Sequence, residues 1–111
     1  MSHDDPRAGP VDAAGGGTNG PVWGVASDDL NATLLAWPPG TPLPEHVNDE
    51  VDVLLVMLSG SGTCTVDGRA EALGPSSVRL IPKGARRAIV AGADGMRYLS
   101  VHRRRGPLQI T

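Results

Sequence analysis

The chain has 111 residues, 40% of them hydrophobic and 20% charged, with a formal net charge of -2 at pH 7. That length supports one domain with a modest core. With Trp23, Trp37 and Tyr98 as the only aromatic residues, it argues against a nucleic-acid platform built on stacked bases. The single cysteine, Cys64, excludes an internal disulfide and gives no sign of a zinc cluster; inside a strand it reads as a small buried hydrophobe. No apolar run approaches the roughly 20 residues that a membrane span needs, and the first residues lack the charged-then-apolar order of a signal peptide. A cytoplasmic protein without a membrane partner is expected.

Charge is unevenly distributed. Residues 1–78 hold two basic and eleven acidic side chains (-9), whereas residues 79–111 hold eight basic and one acidic (+7). Such halves attract one another across a fold or between protomers. Together with the small size and the scarcity of large aromatics, this predicts a homodimer. The run Arg103-Arg104-Arg105 has no interleaved aromatics, so it reads as a solvated or salt-bridged end rather than a nucleic-acid contact.

Residues 1–21 are rich in Gly, Ala and Asp with little to bury, which predicts a disordered arm; residues 22–111 are the expected single domain. Residues 22–25 suit a short edge segment, and residues 31–37 a strand in which Trp37 serves the core or an interface. The prolines at 38, 39, 42 and 44 fix φ and remove donors, so residues 38–44 read as a loop. From there His46, Asn48, Glu50 and Asp52 alternate with other residues at a period of two, which would put all four on one face of a regular strand. Residues 53–58 are a buried strand and residues 59–62 a turn. Asp67-Gly68, between strands 63–66 and 69–73, suits a type I′ hairpin, where both turn positions need positive φ. A turn at 74–77 leads to a strand at 78–81, and Pro82-Lys83-Gly84 breaks the chain before residues 86–91. Residues 92–95 connect to a last strand over 96–102. Strands recurring about every 8–12 residues, with no helical period, predict an antiparallel sandwich or barrel.

The spacing of Gly40, His46 and Gly60 resembles the first motif of the cupin family: glycine, five residues, His-x-His, three or four residues, Glu, six residues, Gly. Asn48 stands where the second histidine would be and Val53 where the glutamate would be, with Glu50 and Asp52 nearby but out of register. Residues 76–91 are similar to the second motif: glycine, five residues, Pro-x-Gly, two residues, His, three residues, Asn. Pro82-Lys83-Gly84 matches, Ser76 takes the place of the first glycine, and Arg87 that of the histidine. The likeness covers about residues 31–103. It implies an all-β, antiparallel double-stranded β-helix, the cupin or jelly-roll barrel. Of the four ligand positions for a divalent transition metal, it leaves only His46 filled.

Two function classes follow. In the first, the barrel binds a small anionic ligand without a tightly held metal, and His46, Asn48, Arg87, Tyr98 and His102 are the contact residues. A guanidinium offers a carboxylate or phosphate two parallel donors, although Arg87 could instead pair with Glu50 or Asp52. In the second, a metal-dependent enzyme of isomerase or dioxygenase type, His46, Glu50 or Asp52, and His102 rebuild a metal site, with a β-bulge correcting the register. On the last strand Leu99 and Val101 form one face, and Met96, Tyr98, Ser100 and His102 the other; the sequence leaves open which face lines the cavity.

Overall fold

The computed structural model describes residues 2–4 and 17–104. Eight strands follow in order: β1 (Ser2–Asp4), β2 (Gly20–Ala26), β3 (Leu30–Trp37), β4 (Pro42–Val47), β5 (Val53–Val66), β6 (Arg69–Leu73), β7 (Val78–Ile81) and β8 (Arg86–Arg103). Among the described residues there is no helix, so none is long and apolar enough to cross a membrane. The two long strands, β5 and β8, carry the architecture, because each bends and takes part in two layers. In one layer the order is β1-β2-β3-β8-β5-β7, using residues 96–103 of β8. In the other it is β4-β8-β5-β6, using residues 86–91. All pairings are antiparallel except that of β1 with β2, where Ser2–Asp4 runs parallel to residues 23–25. Part of the stretch expected to be a disordered arm is therefore paired in a strand, and residues 5–16 lie outside the described residues.

The bends fall where turns were expected. Residues 59–62 and 92–95 do not end their strands but fold them over, with register shifts between Met57 and Gly62. Gly60 (φ 79°) and Gly95 (φ 75°) face each other at this corner, and a Cβ on Gly60 would run into the Gly95 carbonyl. Only glycine satisfies both the left-handed backbone and the close approach. The Asp67-Gly68 hairpin forms as expected, with φ of 50° and 84°. Asp67 also ties the hairpin tip to β8: its N–H donates to the Arg86 carbonyl at 2.8 Å, and the Arg86 N–H donates to Asp67 Oδ1 at 2.9 Å.

One sequence expectation is reversed. Residues 42–47, expected to be mostly loop, form β4, and residues 48–52, expected to continue a strand, form a turn. Proline is tolerated in β4 because, among the described strands, it pairs only with β8. The turn wins over residues 48–52 because Asn48 Oδ1 accepts the backbone N–H groups of Glu50 (2.9 Å) and Val51 (3.3 Å), a local alternative to a ladder.

The core lies between the layers. Val53, Leu55, Met57, Cys64 and Ile89 are all at most 4% exposed, while Leu54, Val56 and Leu58 between them are only half-buried. The alternation of β5 with its pleat thus directs one file of side chains inward.

Candidate functional site

Counting outward from the glycine corner, the registers stack the inward-facing side chains in rings. Ala91 and Met96 lie next to the corner. Ile89, paired with Leu43, and Tyr98, paired with Leu35, form a second ring. Arg87, paired with His46, and Ser100, paired with Thr33, form a third, nearer the mouth. Residues of these outer two rings line a cavity of about 270 Å³, closed on its sides also by Leu55, Pro44 and Ala88. The cavity therefore takes the Tyr98 and Ser100 face of the last strand, not the face of Leu99 and Val101.

His46 reaches the cavity because of a bulge. Leu43 and His46 are an odd number of residues apart and would point to opposite faces of a regular strand. The register shift between them inserts one residue opposite Ala88, so both side chains face inward. A bulge does correct a register here, but it acts upstream of His46 and not on Glu50 or Asp52. Arg87 Nη2 donates to His46 Nε2 at 3.2 Å. Because a guanidinium has no acceptor, this contact requires the Nε2 lone pair and leaves the ring proton on Nδ1.

Deeper in, Trp37 Nε1–H donates to the Tyr98 hydroxyl at 3.2 Å. Burial pushes the Tyr98 phenol up from its ordinary value, against the smaller opposing effects of the Trp37 hydrogen bond and the Arg87 charge. Burial likewise raises the Cys64 thiol, with Arg79 and Arg87 pulling the other way. Both groups are therefore protonated at neutral pH, and Cys64 is the buried hydrophobe the sequence suggested.

Of the residues singled out from sequence, the cavity brings together His46, Arg87 and Tyr98. Asn48 shapes the turn beyond β4 instead of lining the cavity. Glu50 is exposed, and its carbonyl accepts from Arg103 Nη2 at 3.0 Å. Asp52 is also exposed, with Oδ1 accepting the Lys83 N–H at 2.8 Å. His102 lies outside the cavity, donating from Nδ1 to the Arg103 carbonyl at 2.8 Å and facing Asn31 Nδ2 through Nε2 at 3.4 Å. Ser100 lies on one of the two candidate faces of the last strand but was not named as a contact, and Thr33 was not anticipated. The only signal for Thr33 is a lone hydroxyl within the apolar run 32–36, and the pairing that sets it beside Ser100 is invisible in sequence.

A two-layered antiparallel barrel folded at a glycine corner, with an open cavity between its layers, is the double-stranded β-helix. Solved structures share it. A cupin superfamily protein from Desulfitobacterium hafniense DCB-2 is similar at 24% identity over 80% of this chain and 84% of that chain, with a TM-score of 0.68. The Schizosaccharomyces pombe Cnp3 cupin domain is similar at 19% identity over 70% of this chain and 58% of that chain, with a TM-score of 0.66. A deletion mutant of Bacillus subtilis oxalate decarboxylase is similar at 25% identity over 68% of this chain, with a TM-score of 0.62, although the chain spans only 21% of it. The chain shares the cupin fold with these structures. No protein-family model and no curated protein matches it.

The cupin fold implies a metal, and the donor set here does not fit one. His46, at a ligand position of the resembled motif, accepts through Nε2 from Arg87, which stands at that motif's last ligand position. Asn48 Oδ1 caps the turn, and Val53 is buried in the core. Among the described residues no three His, Cys, Asp or Glu side chains are grouped to hold a metal ion.

Proposed function

We propose that this cupin binds a small anionic molecule in its barrel without a fixed catalytic metal. The observation that carries the reading is Arg87: a permanent cation half-buried in the wall of a largely apolar cavity, beside His46. There a paired hydrogen bond to an anion gains more than it would in water, whereas a metal cation would meet repulsion. At about 270 Å³ the cavity lies just below the range of about 300–1,000 Å³ usual for small-molecule sites, which favours a compact ligand. A cytoplasmic protein with a lone thiol, acting as a homodimer and contacting neither nucleic acid nor membrane, fits the same reading.

The second reading, a metal-dependent enzyme of isomerase or dioxygenase type, is favoured by His46 alone, which faces the cavity at a family ligand position. Calorimetric titrations separate the two. Acetate and inorganic phosphate should bind the wild type at least about tenfold more tightly than Arg87→Gln, the loss of a charge-assisted pair. Stoichiometric, micromolar binding of Mn²⁺, Fe²⁺, Ni²⁺ or Zn²⁺ that disappears in His46→Ala would place the protein in the enzyme class instead.

A further inference from the structure

Resting on the anion-binding reading, we infer that the ligand is a monocarboxylate with a short aliphatic tail and no amino group. The rings of the barrel divide the cavity into a head site and a tail site. Arg87 and His46 on one layer lie at the same distance from the glycine corner as Ser100 and Thr33 on the other, so the four close around one level near the mouth. Neither the Thr33 nor the Ser100 hydroxyl has a side-chain hydrogen bond among the described residues. A guanidinium on one side and two hydroxyls on the other can all donate to the oxygens of one planar carboxylate.

The next ring inward is apolar. Leu35, Leu43 and Ile89 line the cavity at the level of Tyr98, whose hydroxyl accepts from Trp37 Nε1. A tail of three or four carbons replaces water there, and each methylene that leaves water strengthens binding about fourfold. No Asp or Glu lines the cavity, so a ligand ammonium would be desolvated without a counter-charge. No second cation lies in the tail ring, so the far carboxylate of a diacid would be equally uncompensated.

The test is a series of titrations of the full chain with acetate, propanoate, butanoate and 3-methylbutanoate, set against inorganic phosphate, succinate and valine. The expected result is a gain of about threefold to fourfold per carbon up to butanoate. Phosphate, succinate and valine should each bind about tenfold or more weakly than 3-methylbutanoate. Thr33→Val and Ser100→Ala should each weaken every carboxylate about fivefold while leaving the gain per carbon unchanged, because they touch only the head site. A flat carbon series, or phosphate or succinate binding more tightly than butanoate, overturns the monocarboxylate inference and leaves anion binding standing. Failure of every anion to bind the wild type at millimolar concentration overturns both.

Discussion

Among the described residues two other than glycine adopt positive φ, and they should respond to the same substitution with opposite sign. Asp67 (φ 50°) recovers the cost through Oδ1, which holds the Arg86 N–H at 2.9 Å. Ser76 (φ 73°) makes no side-chain hydrogen bond among the described residues; in the turn before β7 it is the backbone groups of Ser76 and Ser77 that reach Met57. A left-handed L-residue costs about 1–2 kcal/mol, and glycine gives back about 0.5–1 kcal/mol of that through the freer unfolded chain. Ser76→Gly should therefore stabilise the protein by about 0.5–1 kcal/mol and raise Tm by about 4 °C. Asp67→Gly, the control, should lower it slightly, because Asp tolerates this region better than Ser and gains less from the exchange, while a hydrogen bond worth about 1 kcal/mol is removed. Thermal melts of both variants check the signs. Position 76 is also where the cupin resemblance puts a glycine, so the backbone demand survives in a residue that meets it poorly.

Among the elements, the glycine corner decides whether β5 and β8 can each serve two layers. At Gly60 a methyl group meets the Gly95 carbonyl and also needs positive φ, so Gly60→Ala should cost about 2–4 kcal/mol. At Gly68, with φ of 84° but open space around it, Ala meets only the backbone cost of about 1 kcal/mol. Urea denaturation of the pair measures the difference; equal losses would mean that the corner is not tightly packed. The sequence made the barrel legible through strand spacing, the Asp67-Gly68 hairpin and Pro82-Lys83-Gly84, because each of these is a local backbone requirement. It hid what depends on long-range register. Residues 46–52 alternate like a strand, yet the Asn48 side chain captures the backbone donors and makes a turn. His46 enters the cavity only through a bulge at Pro44 and Glu45, and Thr33 meets Ser100 only because β3 pairs with β8. For the same reason the residues singled out divide: His46, Arg87 and Tyr98 line the cavity, while Asn48, Glu50, Asp52 and His102 are not brought to it.

For the molecule as a whole, the opposed charges of the two parts of the chain and its small size are the grounds for expecting a dimer. The fold brings those charges together within one copy: basic β8 runs between strands from the acidic part, and the ion pairs Arg79–Glu71 (2.5 Å) and Arg86–Glu45 (3.8 Å) form inside the chain. The apolar exposure is not met in this way. Val78 and Leu80 on β7 are 61% and 51% exposed, and β7 pairs with β5 alone among the described strands. An open strand edge carrying two exposed aliphatic side chains is a template for association, and a two-fold axis would let the same edge serve both copies. Light scattering should give about 23 kDa, twice the 11.5 kDa of the chain. If the contact is apolar, the dimer should persist at about 0.5 M salt, where exposed charges are screened within a few ångströms, and Leu80→Glu should make it monomeric. Dissociation by salt, with Leu80→Glu remaining dimeric, would assign the association to charge, and a monomer at high micromolar concentration would rule out the dimer.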